Sequence, residues 1–193
     1  MNNGGGTLVL EMQRRMLYTP VFHIDANVIN GRGKLQSMNQ IEKWAADDVI
    51  LVNMSGVSFK EALVGNIDAR TKKTLAQIFT ITDDDILEHD HLYQKIETSL
   101  FPAGAQTQNQ KNDVDVVYEA AKYAAILITN DGGSKTQPGG ILGNRRKLSD
   151  YLMIFNDCEA VEFIRQKIKE RDDFNRRVAI ETGDTVPDWT GKD

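Results

Sequence analysis

The sequence predicts an α/β fold: a three-layer α/β/α arrangement around a central parallel sheet of four to five strands. Three observations predict it. Short apolar runs at 21–25, 49–54 and 125–129 have the length and composition of buried strands. The stretches between them place apolar residues at helical spacing. Strands that alternate with helices build a parallel sheet covered on both faces.

The elements follow in order. Residues 1–6, rich in Asn and Gly, bury nothing and are expected to be disordered; 7–20 show no clear pattern. The strand at 21–25 leads into a loop punctuated by Gly31 and Gly33. Ser37 is the expected cap of a helix to Ala46, with Met38, Ile41, Trp44 and Ala45 on its apolar stripe. The strand at 49–54 precedes a helix from Phe59, interrupted near Gly65, and another ending at Leu75. The run 78–82 reads as an edge strand. Asp83, Asp84 and Asp85 then cap a helix carrying Ile86, Tyr93, Ile96 and Leu100.

A polar loop at 102–112 precedes a helix that starts at Asp113 and turns Val116, Val117, Ala120 and Ala124 inward. A fourth strand covers 125–129, a glycine-rich exposed loop 132–144, and a fifth strand 151–155. Asn156 or Asp157 caps a last helix, with Val161, Ile164 and Ile168 facing the core and charged turns towards Arg177. Residues 181–193 read as a loose tail. The expected organisation is a partly disordered extension at 1–20, one domain at 21–170, and a helix end with tail at 171–193.

Composition narrows the function classes. The single cysteine, Cys158, excludes an intramolecular disulfide framework and a cysteine-rich zinc site. No apolar run approaches the roughly 20 residues that span a membrane. The first residues lack the charged-then-apolar order of a signal peptide. The expected location is therefore cytoplasmic, away from membranes. A net charge of −5 argues against a protein that coats nucleic acid by charge alone. It leaves room for an enzyme that meets nucleic acid through a bound metal.

Four acids stand out. Asp25 and Asp131 follow apolar strands, and Glu61 and Asp113 sit at expected helix starts. Ligands of open α/β sheets bind at the carboxyl ends of the strands. Carboxylates gathered there repel one another unless a hard cation neutralises them, and Mg²⁺ or Mn²⁺ suits oxygen ligands.

The order of these motifs resembles the PIN-domain ribonucleases: an apolar run ending in Asp25-x-Asn27, then Glu61, then Asn112-Asp113 before an Ala-rich helix, then Leu127-Ile128-Thr129-Asn130-Asp131. The family includes many bacterial toxins of toxin–antitoxin pairs. The resemblance runs from about Val21 to Ile168. It implies a metal-dependent endoribonuclease that cleaves single-stranded RNA. Asp25, Glu61, Asp113 and Asp131 would be its catalytic metal ligands, for one or two Mg²⁺ or Mn²⁺ ions. It also implies supporting roles for Asn27 and Thr129. The implied partners are RNA, an antitoxin protein and a second copy of the chain.

The chain departs from the family where Gly132-Gly133 follow Asp131 instead of another acid, and where the next loop is long. That leaves the second metal in question. Asp113 is preferred to Asp115 as third acid because its plus three, four and seven positions are apolar; Asp115 is a supporting residue. Lys135, Arg145, Arg146 and Lys147 are either a substrate-binding phosphate clamp or a solvated basic loop. His23 reads as a core histidine, and His89 and His91 as solvated. The alternatives are a Mg²⁺-dependent phosphatase of haloacid-dehalogenase type, with Asp25 as nucleophile and Ser55 on the phosphate, and a non-catalytic binding module.

Overall fold

A computed structural model describes residues 14–29, 35–65, 67–82, 90–133 and 138–193. The expectations on residues 1–6, Gly31, Gly33, Asp83, Asp84, Asp85, Ile86, His89 and Lys135 lie outside these residues. The chain forms a five-stranded, all-parallel sheet flanked by helices. Its strands are β1 (Leu17–Ile24), β2 (Ile50–Ser55), β3 (Thr80–Thr82), β4 (Ile126–Ile128) and β5 (Ile154–Phe155), in the order β3-β2-β1-β4-β5. The predicted α/β class and the edge position of β3 both hold.

The helices are α1 (Ala26–Ile29), α2 (Gln36–Ala46), α3 (Gly56–Ala62), α4 (Ala69–Leu75), α5 (His91–Leu100), α6 (Gln108–Lys122), α7 (Gly140–Asn144) and α8 (Asp157–Thr182). Among the described residues, no helix is long and apolar enough to cross a membrane.

Side-chain alternation along the strands divides the interior into two cores. Ile126 and Ile128 point to one face, where Met38, Ile41 and Trp44 of α2 and Val161, Ile164 and Ile168 of α8 pack. Leu127 points to the other, with Tyr93 and Ile96 of α5 and Val117 and Ala120 of α6. These residues leave water almost completely, and apolar burial at about 25 cal/mol per Å² is the main force holding helices to sheet.

Several boundaries differ from the sequence reading. Strand β1 begins at Leu17 rather than at 21. Its pairing with β2 shifts register between Leu17 and Phe22, around Pro20, which has no N–H to donate. Ser37 does not cap α2: the cap position is Leu35, and the Ser37 hydroxyl donates to the Asp157 carboxylate. Helix α3 starts at Gly56, because the Ser55 hydroxyl accepts the Ser58 N–H at 3.0 Å. Glu61 therefore lies in the last turn of that helix, not at its start.

Helix α6 starts at Gln108. Thr107 and Gln110 form a reciprocal capping box inside the expected loop, so Asp113 sits in the helix rather than at its start. Ala124 does not face inward; it follows the helix with a φ of 50° and is exposed. Helix α7 interrupts the expected 132–144 loop and buries Ile141. Helix α8, capped by Asn156 and Glu159, runs to Thr182. The expected loose tail folds back onto it. The Gly191 N–H donates to Asp172 at 2.7 Å, Arg171 holds Asp193 at 2.8 Å, and the Arg171 guanidinium lies 4.6 Å from the Trp189 ring centre.

Candidate active site

The strand order reverses between β1 and β4, and in open α/β sheets ligands bind outside the carboxyl ends of the strands at such a switch point. Asp25 follows β1 directly, and its N–H donates to the Ile128 carbonyl at 3.0 Å. Asp131 lies three residues past β4. The two strand-end acids thus flank the switch point.

Asp25 is 6% exposed and its hydrogen bonds are directional. Its Oδ2 accepts from the Thr129 hydroxyl at 2.7 Å and from the Asn27 side-chain amide at 2.6 Å. The Thr129 oxygen accepts in turn from the Asp131 N–H and from Asn27, each at 3.0 Å. A hydroxyl has one proton, so that proton is directed to Asp25. The Asn27 carbonyl accepts the Asn130 N–H at 2.9 Å, which fixes the direction of its amide. Oδ2 is committed as an acceptor, while Oδ1 faces the fully buried Ser58 hydroxyl at 3.5 Å.

Asp131 is held by backbone. The Gly133 N–H donates to Oδ1 at 3.0 Å and the Ile141 N–H to Oδ2 at 2.7 Å. Gly140 makes that approach feasible. A Cβ there would stand 2.3 Å from Asp131 Oδ2, and its φ of +52° suits glycine.

Glu61 accepts from the Asn112 side chain at 2.7 Å, which ties α3 to the first turns of α6. Asp113 follows Asn112 and is half-buried. Asp115 instead accepts from the Tyr93 hydroxyl of α5 at 3.0 Å. The apolar-spacing reason for preferring Asp113 does not discriminate, because Tyr118 and Glu119 are each only 1% exposed as well. The ring of Tyr118 packs on Tyr93, and Glu119 accepts from Thr82.

The neighbouring acids act on Asp25. Burial is the main cause that pushes the Asp25 carboxyl up to about 6, and the charges of Glu61 and Asp131 raise it further against the Thr129 hydrogen bond. They do not form a closed cage: among the described residues no three His, Cys, Asp or Glu side chains are grouped to hold a metal ion. Each carboxylate turns to nearer donors, Asp25 to Thr129 and Asn27, Glu61 to Asn112, and Asp131 to two backbone amides. The donor set is all oxygen, which fits a hard divalent cation.

The other predicted residues divide. His23 is a core residue, 1% exposed, stacked on Tyr123 with centroids 5.9 Å apart, and burial lowers its pKa to about 4. Arg145 is engaged by Glu159 through two contacts of 2.9 and 2.7 Å, and Lys147 donates to Asn144 at 2.8 Å. Arg146 is exposed, with no side-chain partner among the described residues. His91 and Cys158 are exposed.

The sequence reading missed Ser58, Asn112 and Asn130 as site residues. The last two adjoin proposed acids in Asn-Asp pairs, a local signal that was available. Asn130 also accepts the Asp157 N–H at 3.2 Å, which joins the site to the start of α8. Compared with known proteins, the chain matches no family model and no curated sequence.

Proposed function

We propose that the chain is a metal-dependent endoribonuclease that cleaves single-stranded RNA, of the kind found among PIN-domain toxins. One observation carries the reading: a buried aspartate at the switch point of a parallel sheet, raised to about 6 partly by the charges of Glu61 and Asp131. Like charges held near a buried carboxylate at such a switch point make it a functional-site candidate. Asp25, Glu61 and Asp131, with Asp113 beside Asn112, would hold Mg²⁺ or Mn²⁺. When bound, such an ion neutralises charge on a phosphodiester and makes water acidic enough to attack it.

The chain's own residues prepare that site. Thr129 and Asn27 hold Asp25 through Oδ2, and Oδ1, which the Ser58 hydroxyl faces at 3.5 Å, would meet the ion. Asn112 orients Glu61, and the amides of Gly133 and Ile141 orient Asp131. The phosphatase alternative assigns the phosphate to Ser55, but Ser55 is 2% exposed and its hydroxyl caps α3. In this reading the protein acts in the cytoplasm, with RNA as substrate and an antitoxin protein and a second copy of the chain as partners.

The test is cleavage of end-labelled single-stranded RNA with Mn²⁺. Wild type should cut and Asp25→Asn should not, while remaining folded. Hydrolysis of a small phosphate monoester with none of RNA would favour the phosphatase. Neither activity would favour the binding module.

A further inference from the structure

An open groove of about 350 Å³ runs along the β5 edge of the sheet. Its lining includes the apolar Leu152, Met153 and Phe155 and the charged Arg145, Arg146 and Glu159. Leu152 is 8% exposed but Met153 is 51% exposed, so the thioether presents an apolar surface to solvent. Two lining residues adjoin elements that carry the acids. The Phe155 carbonyl accepts the Thr129 N–H at 3.0 Å, and Arg145 directly follows α7, whose Ile141 N–H donates to Asp131 at 2.7 Å.

The basic residues here are not equivalent. Arg145 is neutralised by Glu159, and Lys147 is bound to Asn144. Arg146 keeps an exposed guanidinium without a partner among the described residues. Among the described residues the groove therefore offers one uncompensated cation beside an apolar lining, on a chain of net charge −5. That combination matches a ligand with one anionic group and one flat apolar part. The volume is at the small end for ligand sites and suits a single base rather than a duplex.

We propose that this groove is a nucleotide subsite for single-stranded RNA, with a phosphate on Arg146 and the adjoining base on Met153. The inference rests on the nuclease reading for the nature of the polymer. Arg pairs with phosphate through its planar fork, and a polarisable thioether packs well on aromatic rings.

The experiment is an NMR titration of methyl-labelled methionines with pentauridylate, at low salt in EDTA. The Met153 methyl should shift and saturate, while those of the buried Met38 and Met54 stay in place. Arg146→Ala and Met153→Glu should each weaken binding about tenfold, near the loss of one phosphate or one stacking contact. The unchanged Met38 and Met54 signals of each variant report that it is folded. An unmoved Met153 methyl, or wild-type affinity in Arg146→Ala, overturns the subsite. Equal affinity for uridine monophosphate identifies a free nucleotide as occupant and overturns the RNA assignment. Cleavage with Mn²⁺ is read separately: groove binding without cleavage sustains the subsite and removes the nuclease, and cleavage with an unresponsive groove does the reverse.

Discussion

The Thr129 hydroxyl donates to Asp25 Oδ2 at 2.7 Å across 104 residues of chain. Pairing of β1 with β4 creates this contact, since Ile24 and Ile128 stand in register and the next residues emerge together at the switch point. Thr129 also accepts the Asp131 N–H, so one side chain links two acids.

Replacing Thr129 with Val keeps the shape of a fully buried residue but removes its proton and its acceptor. The Asp25 pKa should rise above about 6, because the hydroxyl is what lowers it. Stability at neutral pH should fall by about 1.5 to 3 kcal/mol, the range for a hydrogen bond to a charged group. Carboxyl NMR titration and urea unfolding measure both, and Thr129→Ser should restore the lower pKa.

Gly140→Ala should destabilise the chain by about 1 to 3 kcal/mol, from left-handed backbone strain and the close approach of Asp131. The new Cβ would meet Asp131 Oδ2 at 2.3 Å and the Gly133 nitrogen at 2.5 Å. Gly132→Ala is the control, since a Cβ there meets nothing within 4 Å. Equal unfolding midpoints for the two variants would contradict the role given to Gly140.

Two buried groups should oppose each other in acid. Asp25 titrates at about 6 when folded, against about 3.9 unfolded. Its contribution is therefore complete below about pH 3.9 and is lost as pH rises through about 6. His23 has the opposite sign. Burial lowers it to about 4, against about 6.5 unfolded, so its contribution is complete above about pH 6.5 and is lost as pH falls through about 4. Each full span is on the order of 3 kcal/mol. In metal-free buffer, His23→Leu should show stability falling, relative to wild type, as pH rises from about 4 to 6. Asp25→Asn should show the reverse. Urea unfolding across this range checks the signs, and variants that shift stability equally at every pH would refute both assignments.

The sheet was legible in the sequence because buried parallel strands are short apolar runs, and 49–54 and 125–129 contain little else. Strand β1 was only partly legible: Pro20 and the polar residues before it hide a segment that pairs through its backbone. The start of α6 was hidden because its capping box lies in a run of Gln and Asn that reads as loop. The placement of Asp25 and Asp131 followed from strand ends. The neighbours of Glu61 did not, because Asn112 reaches it from a separate helix 51 residues away. The docked tail was illegible for the same reason: its ion pairs join Arg15, Arg171 and Asp193 across the whole chain.

The central claim is that acids from separate elements form one cation site around Asp25. Thermal unfolding with and without Mn²⁺ tests it most directly. A cation present at about a hundred times its dissociation constant adds roughly 2.7 kcal/mol, which for a chain of this size is on the order of 5 to 10 °C in Tm. Wild type should show that rise, EDTA should reverse it, and Asp25→Asn should lose most of it while melting normally in metal-free buffer. A wild-type Tm unmoved by millimolar Mn²⁺, or an equal rise in Asp25→Asn, would contradict the claim.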